Sequence, residues 1–525
     1  MSLVSSIAGF FGYKPATPQH LPLTRGPRVA GRNYGAADQN RLTMDFQGTR
    51  VSADTSLVNQ LCVMRARSRK LFTDEPYARR YTRLIEKNVA GPAGVQLSIS
   101  GGPDAEYLLS QAEAAAIERR WKYWICSPWL MVSRKGNWSQ VQRKALRNCC
   151  IDGEVFVRVV GDETSPYFIA LDWFAADQFD EQFNSSLPNG GEIRMSIEFD
   201  SKGRRVAYHP FKRNPVDYLP GSRTRGMGER IRVPAEEVIH FHLDDLIQQS
   251  RGVPWLFATI ARINMLGGYE EAELVASRVA ASKMGFLVNP EGGPEYTGDG
   301  QDAQGNTITE AQPGTFESLP FGTELKSFDP QHPNGNFAAF IKAMLRGISM
   351  GGDVSYHTLS GDLEGVNYSS ARVGLLDERD GYAMLQDEFI QGFCLPVFRS
   401  WLIAQATIKA VPLSVDEART FSQIVWRPRK WRSVDPVKDI AADVQSVALR
   451  VKSRTQIVAE SGGTFPATLA ELEAEEEAIE AAGLMQPATP IPGSVPPKKG
   501  KEEEDDEDEE QVKPKPQKNG RFSVG

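Results

Sequence analysis

Apolar positions recur with helical spacing over much of the chain and give way to period-two runs in a few places. Leu57, Leu61 and Met64, then Tyr77, Tyr81, Leu84 and Ile85, fall three and four residues apart. Pro76 suits a first helical turn and Gly91 a stop, so two helices are predicted there. The alanine-rich stretch Ala105 to Trp124 and the stretch Trp138 to Cys149 continue the helical period. Glu154 to Val160 is β-rich, and Ile193 to Tyr208 alternates around Asp200-Ser201-Lys202-Gly203, as a hairpin does. This first region reads as α+β.

The pattern then changes. Pro254 to Met284 is a long helical stretch rich in small residues, followed by a Gly-rich loop and a short β section, Phe316 to Phe328. Phe337, Phe340, Ile341, Met344, Leu345 and Ile348 mark a second helix, and a polar loop, Gly351 to Asn367, leads to a longer one, Ser370 to Ala406, which Pro396 should kink. Near the end, Asp435-Pro436 starts a helix with Val437, Ile440, Val444, Val447 and Val451 on one face. A short helix stopping at Gly462-Gly463 and an acidic one from Pro466 to Ala482 follow. Residues 12–50 lack periodicity and read as a flexible arm, and the nine acids Glu502 to Glu510 sit in a tail that can bury no core.

With 525 residues the chain exceeds one ordinary core, and 41% apolar with 24% charged residues is a globular balance. No run reaches the ~20 apolar residues of a membrane span. The stretch Val4 to Phe11 lacks a basic leader and a cleavage site, so a cytosolic protein is expected, with no membrane partner. Five cysteines without a C-x-x-C pair point to buried free thiols, not disulfides or zinc. The net charge of −7 is uneven: from Glu471 onward there are 15 acidic and 7 basic residues, which leaves +1 for residues 1–470. Such a body can meet DNA but does not hold it hard, because tight binding needs many basic side chains on phosphates.

Three patterns bear on chemistry. Gly347-Ile348-Ser349-Met350-Gly351 matches G-x-S-x-G, but a helical pattern precedes the serine where a hydrolase needs a strand. His240, His242 and Asp244 alternate along a probable strand, with Asp245 next; at ~3.3 Å per residue Asp244 lies too far from His240 to share a metal unless the chain bends. Arg65, Arg67, Arg69, Lys70 and Arg79, Arg80, Arg83 lie on helices with an apolar opposite face, which favours a solvated face or subunit contact over nucleic-acid binding. No phosphate-binding G-x-x-x-x-G-K-[ST] loop occurs, so a P-loop ATPase is unsupported.

Five stretches, in order, resemble the lambda-like family of phage portal proteins from about Leu57 to Leu484: Arg65 to Leu71 with Pro76-Tyr77-Ala78, Ile151 to Arg158, Val233 to His240, Arg251 to Leu256, and Gly361 to Arg372. Gly352-Asp353-Val354-Ser355 departs from the family's hydrophobic glycine-proline run. The resemblance implies a structural protein and not an enzyme, with no cofactor. The alternative is a serine hydrolase or metal-dependent enzyme using Ser349 or His240 and His242.

The implied architecture is an α+β phage portal fold in a ring, normally dodecameric. Residues 1–56 are then the arm, 57–251 a wing, 252–287 a stem helix, 288–333 a clip with a small β insert and 334–350 a second stem helix. Residues 351–369 are a tunnel loop, 370–433 a kinked helix and wing return, 434–484 a helical crown and 485–525 an acidic tail. Implied partners are other copies of the chain, the large terminase at the clip, the major capsid and scaffold proteins, head-completion and tail connector proteins, and double-stranded DNA in the channel. The implied place is the portal vertex of the virion, reached from the host cytoplasm. Within the loop, Ser355, Tyr356, His357, Thr358 and Leu359 are expected to border DNA as mobile, polar, moderately bulky groups.

Overall fold

The structure, a computed structural model, describes residues 50–99, 108–217, 228–281, 336–431, 436–460 and 465–483, with four short strands between 285 and 327. The described helices and strands belong to the unit that begins at Ala53. The expected arm up to residue 49, most of the Gly-rich insert, the Gly462-Gly463 stop and the acidic tail lie outside the described residues.

Helices α1 (Ala53–Asp74) and α2 (Pro76–Ile85) form as the spacing predicts, and α1 takes in the last residues assigned to the arm. Pro76 occupies the first turn of α2, which continues through a π-turn, Glu86–Ala90, and ends at Gly91 with φ +73°. Strand β1 (Gln96–Ile99) precedes α3 (Gln111–Cys126) and α4 (Trp138–Asp152). The start of α3 corrects the expectation of Ala105. Ser110 Oγ accepts from Glu113 N (3.3 Å) while the Glu113 carboxylate accepts from Ser110 N (2.9 Å), and this reciprocal cap fixes the first turn.

Strands β2 (Glu154–Gly161), β3 (Ile169–Phe174), β4 (Ser185–Ser186), β5 (Glu192–Arg194), β6 (Ile197–Phe199), β7 (Arg205–Tyr208), β8 (Val233–Pro234) and β9 (Val238–His242) make two antiparallel sheets, ordered β3-β2-β9 and β4-β5-β6-β7-β8. The predicted hairpin is β6-β7, its turn held by Asp200 Oδ1 accepting from Lys202 N and Arg204 N. Strand β2 is buried on both faces. Val155 and Val157 enter the main core with the helices, whereas Phe156 enters a second core with Phe179, Ile197 and Tyr208. Trp121 and Trp124 of α3 anchor the main core against Phe398 and Trp401, with ring centroids 5.2–6.2 Å apart. Of the five free cysteines, Cys149, Cys150 and Cys394 are buried, but Cys62 and Cys126 face outward from their helices, against the expectation of uniform burial.

The next helix, α5 (Ile260–Ala281), starts six residues later than Pro254 suggests, because residues 254–259 form turns where the chain leaves a close crossing over the end of α4. Strands β10 (Gly285–Val288), β11 (Gly300–Gln301), β12 (Thr307–Ile308) and β13 (Glu324–Ser327) pair as β10-β13 and β11-β12. Helix α6 (Phe337–Gly351) is followed by a short α7 (Tyr356–Ser360), α8 (Tyr368–Phe389), a π-turn (Ile390–Cys394) and α9 (Leu395–Thr407). The irregularity expected at Pro396 thus takes the form of a π-turn just before it. There the absent Cβ of Gly392 admits Phe241 of β9, which a methyl group would meet at 2.5 Å. After α10 (Val415–Thr420), β14 (Ile424–Arg427) pairs with β1, and α11 (Pro436–Ala448), α12 (Arg454–Glu460) and α13 (Phe465–Ala481) complete the described chain. The architecture is α+β.

Candidate functional site: a tethered loop and a buried charge cluster

The segment expected as a mobile polar loop holds a turn of helix. Ser355 caps α7, its Oγ accepting from Thr358 N at 3.2 Å, and Gly361 closes the helix in the left-handed region at φ +75°. Leu359 is buried in the main core beside Val354 and anchors the turn from below. The buried Glu378 of α8 accepts from Ser355 Oγ (2.9 Å) and Thr358 Oγ1 (2.7 Å) with one oxygen and from Tyr382 OH (2.7 Å) with the other. On the opposite side Tyr356 OH donates to Asp362 Oδ2 (2.8 Å), and His357 Nδ1 lies 2.8 Å from the Asp362 carbonyl and therefore carries the proton. The Glu364 amide, the Tyr356 hydroxyl and Lys342 hold the Asp362 carboxyl down at about 2. Arg80 of α2 donates to the Thr358 carbonyl at 3.2 Å. All five expected residues are present on one segment, but Leu359 points inward and the others are half-buried and hydrogen-bonded.

Elsewhere in the fold, several segments meet at Glu154, whose side chain is fully buried at the start of β2. Arg251 Nη2 and Nε donate to its Oε1 at 2.7 and 2.9 Å, and Arg65 Nη2 donates to the same oxygen. His240 Nε2 and the Gly252 amide reach Oε2 at 2.9 and 3.0 Å. The remaining donors are also met. Arg251 Nη1 reaches the Met195 carbonyl at 2.9 Å, while Arg65 donates to the Asp152 carbonyl (3.0 Å) and to Glu181 (2.6 Å). Burial opposes a charge on Glu154, but Arg251 and Arg65 overcome it and hold the carboxyl well below the usual range. Burial pushes the His240 imidazole well down, so the ring is neutral and donates through Nε2.

A backbone crossing makes this cluster possible. Gly153, at φ +88°, ends α4, and a Cβ there would meet the Val253 carbonyl carbon at 2.2 Å; one on Gly252 would meet the Gly153 oxygen at 2.2 Å. Only glycine permits this approach, which sets Glu154 and Arg251 side by side. Arg65 corrects the reading of the first basic cluster, being a fully buried ion and not part of a solvated face. Its phase already marks it, since Leu57, Leu61 and Arg65 lie four residues apart on the inner face of α1. Arg69 pairs with Asp152 and Asp177 at the cluster's rim.

The enzyme alternatives fit the geometry poorly. Ser349 is buried within α6, its Oγ donating to the Arg346 carbonyl at 2.9 Å. Gly347 sits against α5 and Gly351 against the turn that leads into it, where a Cβ would strike Arg262 and Thr259 at 1.6 and 2.3 Å, so the G-x-S-x-G pattern is a packing seam. His240 faces Glu154 through Nε2 and Tyr208 OH through Nδ1, and His242 lies between Arg205 and Asp244. Among the described residues no three His, Cys, Asp or Glu side chains are grouped to hold a metal.

Four of the five stretches singled out in the sequence supply this cluster: Arg65, Asp152-Gly153-Glu154, His240 and Arg251-Gly252. The fifth closes α7 at Gly361 and caps α8 at Asn367. The sequence pattern of the phage portal proteins of the lambda family matches residues 39–386. This chain belongs to that family. It is 30% identical over 466 residues to a probable portal protein of Halomonas phage phiHAP-1, covering 85% of this chain and 86% of that one. It is 21% identical to portal protein B of Escherichia phage lambda, covering 83% and 87% of the two chains. The neck of an empty GTA particle aligns at 14% identity over 81% of this chain and 98% of that one, with a TM-score of 0.40, a likeness too loose to add to the assignment. No helix among the described residues of this portal-family chain is long and apolar enough to cross a membrane.

Proposed function

We propose that the chain is one subunit of a ring, normally of twelve copies, at one vertex of a phage capsid, forming the channel for DNA packaging and ejection. Membership of the portal family carries this reading. Residues 57–251 are the wing, 252–287 and 334–350 the stem, 288–333 the clip, 370–433 the wing return and 434–484 the crown. The tunnel loop, 351–369, presents Ser355, Tyr356, His357 and Thr358 toward DNA, with Leu359 as its anchor. The large terminase docks at the clip during packaging, and head-completion and tail connector proteins occupy it later. Capsid and scaffold proteins surround the ring, which is assembled in the host cytoplasm and retained in the virion. The subunit does no chemistry and takes no cofactor.

Exposed apolar side chains support ring formation. Met265 and Leu274 on α5, Val373 and Met384 on α8, and Val437 and Ile440 on α11 are each 59–76% exposed in the single chain, and a head-to-tail interface repeated around an axis covers two faces of every subunit. Negative-stain imaging and native mass measurement of the purified full chain test the proposal. Closed rings with a central hole are expected. Only monomer or dimer at high concentration and low salt overturns it.

A further inference from the structure

We infer that the outer face of α2 and its π-turn, together with Lys430 beside them, binds the phosphate backbone of double-stranded DNA at a site separate from the loop Ser355–Leu359. The inference rests on the portal reading for the presence of DNA, and on the geometry of this face for the site.

Arg79, Arg80, Arg83 and Lys87 recur at three- and four-residue spacing and are all exposed, while Ala78, Tyr81, Thr82, Leu84 and Ile85 fill the buried side of the same helix. A second segment brings its own charge alongside. Arg429, just past β14, donates through Nη1 to the Lys87 carbonyl and to Asn88 Oδ1 (3.0 Å), and Lys430 next to it is exposed. The close fit depends on Gly91, over which the Arg429 side chain lies 3.0 Å from the position of a Cβ.

Of the carboxylates on adjoining elements, Glu86 is buried and held by Arg147 at 2.6 Å and Glu378 is turned to Ser355, Thr358 and Tyr382, while Asp74 and Glu75 stand at the N-terminal end of α2 and form no ion pair with its arginines. Among the described residues, Arg79, Arg83, Lys87 and Lys430 form no ion pair. A protein whose first 470 residues carry a net charge of only +1 therefore gathers several uncompensated cations on one face.

Neutral bodies with one basic face bind polyanions by phosphate neutralisation, which positions DNA without reading its sequence. The face adjoins the loop, because Arg80 donates to the Thr358 carbonyl while its neighbours point outward. A DNA strand on this face is held beside the channel residues and not by them, which leaves the loop free of the basic ring that would slow sliding.

The test uses full-chain rings, checked by negative stain, and fluorescence anisotropy with a duplex of about 30 base pairs as probe, over a range of salt. The variant Arg79→Gln/Arg83→Gln/Lys87→Gln is compared with Lys122→Gln/Lys202→Gln/Lys409→Gln, which removes the same charge from exposed positions elsewhere. The first should lower the slope of log affinity against log salt by about 2 to 3, and the second should leave it unchanged. A double variant, Arg83→Gln/Lys430→Gln, draws on both segments and should lower the slope by about 2, which guards against misfolding of the triple variant. Equal slopes in all rings, equal loss in the control, or no duplex binding by the wild-type ring overturns the site while leaving the portal reading intact. Failure of the wild type to form rings instead overturns the portal reading.

Discussion

The carboxylate of Glu154 and the guanidinium of Arg251, 97 residues apart in sequence, meet at 2.7 Å with neither side chain exposed to solvent. A buried pair of this kind is weak evidence for net stability, but breaking it is costly because the partner left behind keeps its charge.

Glu154→Gln keeps the shape and removes the charge, leaving Arg65 and Arg251 with Glu181 and the more distant Asp152 to compensate them. A loss of about 3 to 5 kcal/mol is expected from the midpoint of urea unfolding at pH 7. A loss below about 1 kcal/mol would show that water or a rearranged Arg replaces the carboxylate.

His240 sets a pH dependence. Its folded pKa lies well below the ordinary 6.5, first through burial and then through His242, with Glu154 opposing. Below pH 6.5 the unfolded chain takes up a proton that the folded ring refuses, so stability falls as pH drops, by about 1.4 kcal/mol per unit while the folded imidazole stays neutral. The depressed Glu154 carboxyl contributes stability that is present above its unfolded value and lost as pH falls through its lower folded value, in a separate, more acidic window. His240→Gln should therefore flatten the stability profile between pH 5 and 6.5 by about one proton. An unchanged slope would place the proton uptake on another group.

Gly153→Ala and Gly252→Ala each force a methyl group into backbone at 2.2 Å, and Gly153 also sits at positive φ. Each should cost more than about 3 kcal/mol or prevent soluble expression, a magnitude reserved for overpacking and strain. Gly161→Ala is the control, with nothing within 4 Å of the added carbon. Similar melting temperatures for all three would contradict the crossing.

Thr358→Val removes one tether of α7 and leaves Leu359 in place. Hydrogen exchange across residues 353–362 should quicken several-fold while the global melt moves by only a few degrees, because local opening is cheaper than unfolding. Uniform exchange change across the chain would mean that Glu378 holds the core and not the loop. Deleting Tyr356 to Gly361 removes the Leu359 anchor as well, so its effect on packaging is separable from folding only if rings still form.

Much of the fold was legible because local rules set it. The period of α2, α4 and α6, the turn at Asp200 and the irregularity before Pro396 follow from residues within one or two turns of each other. The cap at Ser110 was also readable in Ser110-x-x-Glu113, although alanine content drew the expected start upstream. Arg65 shows where such reasoning stops. Its phase with Leu61 says that it is inward, but its partner stands 89 residues away, and no local pattern names it. The loop hid its helix for the same reason: Glu378, which organises Ser355 and Thr358, belongs to the next long helix.

The π-turn Ile390–Cys394 is one residue too wide for an α-helix, and Gly392 within it gives Phe241 its space. Removing any single residue there would restore a regular helix but turn everything beyond Leu395 by about 100°. Trp401 and Phe398, now against Trp121, would swing off the main core. The segment is therefore a fixed gauge of length, and in descendants of this chain insertions and deletions should settle in the connections around it and spare these five residues.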